Sequence, residues 1–382
     1  MRVLIDYRPA LRERSGVGEY THELIRALLA GFPANGAGPS LDLTLFSSSW
    51  ADRFEPGAEL AGASAIDRRV PVRLLNFAWH RLGWPPAETL TGRAFDVSHS
   101  LHPLLLPARD AAQVVTIHDL HFLSHPERTR AEIRRDYPAL ARTHAHRADR
   151  VVVVSEFTRR EVERHFGLPA DRMSICSPGA PPWAPRAEPP PDGGYILFFG
   201  TLEPRKNVGG LLDAYERLAS RRRDVPPLVL AGRETADARP WLDRLARPPL
   251  DRLARHIGYV EPASRRALYE GARLLVQPSF EEGFGIPVLE AMTLGVPVVV
   301  SNRGALPELV GDAAPVVEPD DPDGLASAIE RLVDDRARAA AGVAKGLARA
   351  REYSWARTAR RMVDAYGQAI DLRRERTGRG RR

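Results

Sequence analysis

The stretch Pro278 to Asn302, PSFEEGFGIPVLEAMTLGVPVVVSN, decides how this chain is read. It divides into loop, helix, tight turn and strand. Gly283 and Gly285 carry no Cβ and let backbone approach a ligand closely. Pro287 suits the first turn of a helix, where an amide hydrogen is not needed. The helix is expected to run through Leu289, Glu290, Ala291 and Met292 and to stop at Gly295. Val296 to Val300 is an apolar, β-branched run of the kind buried in parallel sheets. Glu282 then falls on the loop, just before the positive end of the helix dipole, with Glu290 about one turn inside. The helix start offers amide hydrogens to an anion, which leaves both carboxylates to accept hydrogen bonds from hydroxyls. A ligand with a phosphate and vicinal hydroxyls fits this pattern: a sugar nucleotide. Two merely solvated acids would not need the glycines, the proline and the buried strand around them.

A second constellation is Gly200-Thr201-Leu202-Glu203-Pro204-Arg205-Lys206-Asn207. It follows an apolar strand, and Asn207 is a natural N-cap for the next helix. Arg205 and Lys206 therefore project near a strand's carboxyl end and a helix start, where two cations suit a diphosphate. Lysine is scarce here: of 55 basic residues only Lys206 and Lys345 are lysine. A lysine kept beside an arginine marks a place where a compact point charge matters.

The pattern Glu282-GFGIPVL-Glu290, continued by AMTLGVPVVVSNRGALPELVGDAA, resembles the donor site of retaining GT-B glycosyltransferases of family 4. The resemblance extends over nearly the whole chain and is nearest to bacterial mannosyltransferases of polysaccharide assembly. It implies an α/β fold of GT-B type, two Rossmann-like domains with parallel sheets facing across a cleft. In that family the first Glu meets the donor sugar hydroxyls, the second the ribose hydroxyls, and an Arg-Lys pair the diphosphate. SGVGEYTHEL, with Gly16 and Gly18, resembles the family loop at the acceptor and donor-phosphate cleft. VTIHDLHFLSHPE resembles the segment whose first His approaches the donor from across the cleft. That role passes to His118, with Asp119 holding its tautomer or contacting the acceptor. HIGYV resembles the strand preceding nucleobase contacts, so Val260 joins Gly283, Phe284 and Gly285 as expected donor-binding residues.

The 382 residues allow two domains, and 43% hydrophobic content supports full cores. A single cysteine, Cys176, excludes an intramolecular disulfide and suits a reducing cytoplasm. No apolar run is long enough to span a membrane, and MRVLIDYRP starts a strand and not a signal peptide. The net charge of +6 owes much to the tail, where Arg373, Arg374, Arg376, Arg379, Arg381 and Arg382 face only Asp371 and Glu375. Such a tail is expected to be disordered and to add peripheral attraction to the inner membrane surface. No basic patch interleaved with aromatics points to nucleic acid.

Along the chain, residues 1–180 read as an acceptor-binding Rossmann-like domain. Residues 181–194 read as a Pro-rich linker and 195–352 as the nucleotide-sugar domain. A helix over 353–370 returns to the first domain by resemblance, and 371–382 form the tail. Strands are expected at Val3–Ile5, Leu41–Phe46, Phe95–His99, Gln113–Ile117, Arg150–Ser155, Tyr195–Phe199, Leu228–Leu230, His256–Tyr259, Leu274–Gln277, Val296–Val300 and Pro315–Val317. Residues 47–92 are irregular, and Trp50, Phe77, Trp79 and Trp84 are candidates either for an acceptor surface or for packing.

A metal site built from His118, His121 and His125 has poor spacing. Asp320-Asp321-Pro322-Asp323 contains a formal DxD but reads as loop and helix cap. The expected enzyme thus needs no cofactor or metal. It moves a hexose from a nucleoside-diphosphate sugar, GDP-mannose foremost, to a glycan or lipid-linked glycan, with fixed cations stabilising the leaving diphosphate. A sugar-nucleotide epimerase on the same fold and a non-catalytic sugar-nucleotide-binding protein are the alternatives.

Overall fold

Runs such as Val151-Val152-Val153 and Val298-Val299-Val300 are apolar on both faces, and each lies buried inside a parallel sheet. The computed structural model describes residues 1–11, 14, 16–34, 38–50, 52–124, 131–188 and 194–379. The chain forms two units, Met1–Gly179 with Trp355–Arg382, and Ala180–Ser354.

The first unit holds β1 (Arg2–Asp6), β2 (Asp42–Ser48), β3 (Ser64–Arg68), β4 (Val97–Ser100), β5 (Ala112–Ile117), β6 (Arg150–Val153) and β7 (Met173–Ile175). Their spatial order is β3-β2-β1-β4-β5-β6-β7. The second unit holds β8 (Tyr195–Phe199), β9 (Leu228–Ala231), β10 (Ala254–His256), β11 (Ala272–Gln277), β12 (Val298–Ser301) and β13 (Val316–Val317), in the order β10-β9-β8-β11-β12-β13. The pairings in both sheets are parallel. Each order reverses beside the unit's first strand, between β1 and β4 and between β8 and β11. Loops leaving the carboxyl ends of the strands at such a reversal turn to opposite faces and open a crevice.

Helices cover the sheets as the apolar spacing demands. Helix Val208–Arg221 buries Leu211, Leu212, Tyr215 and Leu218 against Ile196, Phe198 and Leu230. Asn207 caps it as expected: its side chain accepts from Gly210 N at 3.2 Å.

Four readings of the sequence are corrected here. β3 lies inside the stretch read as irregular; it is a half-exposed edge strand with no apolar run to announce it. β10 spans Ala254–His256 and not His256–Tyr259, because it pairs with Leu228–Leu230 and Gly258 then turns the chain at φ +74°. The described part of the Pro-rich segment is docked on the second unit: Arg186 N donates to Leu294 O at 3.1 Å and its guanidinium to Ala272 O at 2.7 Å. The final helix runs over Trp355–Arg379, well past Ile370. Its tail arginines find acceptors, Arg373 on Arg109 O at 2.6 Å and Arg376 on Asp149 Oδ1 at 3.1 Å, so this part of the tail is ordered helix. Arg381 and Arg382 lie outside the described residues.

Candidate active site

β8 and β11 are neighbours at the reversal point of the second sheet, and each sends a functional loop from its carboxyl end. The β8 loop carries Arg205 and Lys206 in a short 3-10 turn, Pro204–Lys206. The β11 loop carries Glu282. Adjacent strands therefore bring together side chains far apart in sequence. Lys206 Nζ donates to Glu282 Oε1 at 2.6 Å, with both residues buried. Arg205 reaches Glu282 Oε2 at 3.4 Å, Glu203 Oε1 at 2.7 Å and Glu281 O at 3.2 Å. Phe280 N donates to Arg205 O at 2.8 Å and ties the two loops together through backbone.

Two further donors were not singled out from the sequence. Ser279 Oγ donates to Glu282 Oε1 at 2.8 Å, and Gln277 Nε2 donates to the same oxygen at 3.0 Å. Ser279 stands inside the PSFEEG motif, three residues before Glu282, and that spacing was the available signal. Burial pushes the Glu282 carboxyl up. The charges of Lys206 and Arg205 and the bonds from Lys206 and Ser279 outweigh burial and bring it down to about 2. Among the described residues Oε1 takes three donors and Oε2 only the long contact to Arg205, so acceptor capacity for a ligand hydroxyl remains on Oε2. The sequence reading had Glu282 free for hydroxyls and both cations free for phosphate; the fold instead pairs them with each other.

The helix after this loop is Ile286–Leu294, with Gly285 at its N-cap at φ +109°, no side-chain cap, and Gly295 closing it in the left-handed region. The φ favours glycine there, and a Cβ on Gly285 would lie 2.8 Å from Leu306 Cδ2, so that leucine side chain would have to shift. Gly304, also not anticipated, packs on the Glu282 backbone: a Cβ there would lie 2.4 Å from Glu282 O. Ala305 N donates to that same carbonyl at 2.8 Å. Gly283 is buried in the loop, and Phe284 is turned inward, edge-on to Tyr353 at 5.4 Å, so its ring is a packing group. Glu290 is buried one turn inside the helix. It accepts from the Tyr269 hydroxyl at 2.7 Å and has the Arg265 guanidinium at 3.6 Å. Val260 lies in the loop between β10 and helix Pro262–Glu270. Asp321 caps helix Pro322–Asp334 through Gly324 N at 2.9 Å, and Asp323 pairs with Arg217 and Arg221, so the formal DxD serves as cap and ion pair.

The remaining expected residues belong to the first unit. His118 follows β5, is half-buried, and shares a hydrogen bond with Leu101 O at 3.1 Å through Nε2. A carbonyl only accepts, so Nε2 carries the proton and Leu101 sets the tautomer, not Asp119. Burial brings His118 down to about 4, against the opposing effects of the Leu101 carbonyl and the Asp119 charge. Asp119 Oδ1 accepts from His121 N at 3.3 Å. His125 lies outside the described residues. Gly16 is the N-cap of helix Val17–Gly31 at φ +49°. A Cβ on Gly18 would lie 2.7 Å from Pro9 O, so the close approach at Gly18 is made by the chain itself. Trp79 is fully buried against Phe46, whereas Trp50, Phe77 and Trp84 are exposed.

Residues 193–335 match the family model described as glycosyl transferases group 1, and residues 14–182 that of glycosyltransferase family 4. The O-antigen chain mannosyltransferase B of Escherichia coli is 33% identical over 389 residues, covering 96% of this chain and 99% of that protein. Sucrose-phosphate synthase from Thermosynechococcus elongatus has a similar fold, with TM-score 0.75 at 20% identity, covering 97% of this chain and 99% of that one. HepE from Anabaena, solved with UDP and glucose, gives TM-score 0.70 at 16% identity over 96% of this chain and 99% of that one. Two parallel-sheet Rossmann-like units make this a GT-B fold. The chain belongs to the group 1, family 4 glycosyltransferases, and it is a hexosyltransferase.

Proposed function

We propose that the enzyme transfers mannose, with retention of anomeric configuration and without a divalent metal, from GDP-mannose to a glycan or lipid-linked glycan. The observation that carries this reading is the buried Lys206–Glu282 pair at the carboxyl ends of β8 and β11. Lys206 has further donors to offer a diphosphate, and Glu282 Oε2 has capacity for a sugar hydroxyl, so one pair addresses both halves of a sugar nucleotide. Arg205 and the start of helix Ile286–Leu294 supply positive potential for the charge that grows on the leaving diphosphate. Glu290 is the candidate for the ribose hydroxyls, and Gly283, Gly285 and Val260 for backbone contacts to the donor. In the first unit His118 is the candidate for contact with the donor sugar, and Asp119, Gly16 and Gly18 for the loops beside donor and acceptor. Held neutral with Nδ1 unprotonated, His118 offers an acceptor to a hydroxyl.

No carboxylate is assigned as a covalent nucleophile. The acceptor proton passes to a phosphate oxygen of the departing diphosphate, on the same face as the attack. Mannose is the sugar by similarity to the O-antigen chain mannosyltransferase B of Escherichia coli. The test is incubation with GDP-mannose, UDP-glucose, dTDP-glucose and ADP-glucose and a mannan oligosaccharide acceptor, in EDTA and in Mg²⁺, with the product anomer read by NMR. Transfer from GDP-mannose in EDTA, giving an α-linked product, is expected. Transfer from another nucleotide sugar alone would replace the donor assignment; strict dependence on Mg²⁺ would overturn the metal-free reading.

A further inference from the structure

We propose that residues 72–84 of the first unit form an interfacial surface that seats the protein on an anionic lipid bilayer. This segment is helix Val72–Phe77, a wider turn over Ala78–Leu82, and the turn at Gly83. Leu75 and Trp79, four residues apart, face inward. On the other side Leu74, Phe77, Leu82 and Trp84 are 64%, 61%, 66% and 63% exposed, and Val72 is exposed beside them. Single exposed apolar residues are ordinary in a soluble protein; four large ones within one short segment make a patch that has a partner.

The underside is firmly held, so the patch is a fixed feature of the surface. Trp79 packs on Phe46 with ring centres 5.4 Å apart, and its indole N–H donates to Pro85 O at 3.0 Å. Arg8, bound through two nitrogens to Asp6, donates to Asn76 Oδ1 at 2.9 Å and lies 4.9 Å over the Trp79 ring.

Charge chooses the partner. From Arg68 to Ala87 the sequence carries Arg68, Arg69, Arg73 and Arg81 and no acid. These arginines are exposed, and Arg73, Phe77 and Arg81 fall at four-residue spacing on one face. Of the flanking acids, Asp67 pairs with Arg53 at 3.1 Å, Glu88 accepts from Arg109 N at 3.0 Å, and Asp136 pairs with Arg81 at 2.5 Å. A second copy docked symmetrically would set these arginines against themselves. An anionic bilayer takes both halves: the apolar side chains enter the acyl boundary, Trp84 sits at headgroup level, and the arginines meet lipid phosphates. Arg68, which donates to Leu90 O at 3.0 Å, and Arg81 are engaged within the unit as the tail's Arg373 and Arg376 are, so the charge variant is built on Arg69 and Arg73.

The experiment is co-sedimentation of the full chain with phosphatidylcholine vesicles and with phosphatidylcholine–phosphatidylglycerol vesicles, at low and high salt, with no donor present. Leu74→Ser/Phe77→Ser/Leu82→Ser and Arg69→Glu/Arg73→Glu run alongside, with circular dichroism melts. Wild type is expected to bind the anionic vesicles and to release with salt. The apolar variant should lose at least about tenfold in partitioning. The charge variant should lose binding to anionic vesicles only, and it keeps the test if the apolar variant misfolds. Wild type that fails to bind, or an apolar variant that binds equally well, overturns the proposal. A dimer that depends on the patch, without vesicle binding, overturns it in favour of a second copy. Because no turnover is read, failure here leaves glycosyl transfer untouched.

Discussion

Lys206 and Glu282, 76 residues apart in sequence, form a buried ion pair at 2.6 Å because β8 and β11 are neighbouring strands. Breaking one side leaves a buried charge without its main counter-charge. Lys206→Ala is expected to cost about 3 kcal/mol in the stability of the second unit and on the order of a hundredfold in kcat. Thermal melts and initial rates measure the two. A Lys206→Ala/Glu282→Gln double variant should lose less stability than the two single losses added together.

Ser279→Ala removes one of three donors to Oε1. It should cost only about 1 kcal/mol of stability, yet raise the Glu282 pKa from about 2 toward its ordinary value of 4.5. The acid limb of the rate–pH profile then moves to higher pH. An unmoved limb, with activity merely reduced, would assign Ser279 a structural role alone.

The two units should fail in acid in different windows. Burial holds His80, His99, His118 and His144 at about 3, 3, 4 and 4, below their ordinary 6.5. The unfolded chain therefore binds more protons below pH 6.5, and the first unit loses stability as pH falls from there toward 3. The slope is about 1.4 kcal/mol per pH unit for each histidine that titrates fully. Glu282, lowered from 4.5 to about 2, stabilises the second unit above pH 4.5 and ceases to do so as pH falls through 2. Melts between pH 7 and 3, followed by hydrogen exchange resolved by peptide, should show the first unit weakening first.

A nucleotide that binds the second unit should raise its melting temperature. At a hundred times its dissociation constant the gain is about 2.7 kcal/mol. Among GDP, UDP, dTDP and ADP, GDP is expected to give the largest shift, to keep it in EDTA, and to lose it in Arg205→Ala/Lys206→Ala. An equal shift in the double variant would remove the Arg-Lys pair from the diphosphate site.

Arg376 reaches Asp149, a buried carboxylate that also accepts from Gln113 N at 2.8 Å. Exposed itself, Arg376 should contribute only about 1 kcal/mol. Arg376→Ala should lower the melting temperature of the first unit slightly and leave vesicle binding unchanged. A large loss of vesicle binding would return the membrane contact to the tail.

Much of this was legible in the linear chain because it is local. Glycine and proline punctuate Pro278 to Asn302 at the helix and turn ends, and β-branched runs mark most strands, since those signals act within a few residues of backbone. β3 and the true bounds of β10 were not legible, because edge pairing supplies them. The chain by itself placed Glu282, Arg205 and Lys206 on loops at the carboxyl ends of strands. Tertiary structure alone decided that the acid and the two cations would pair, whereas Ser279 and Gln277 reach the same carboxylate from three and five residues before it in the chain. It also set Trp79 inward while Phe77 points outward. Which strand lies beside which is a property of the whole sheet, so the Lys206–Glu282 partnership, unlike the backbone preference of either residue, is not written near either in sequence.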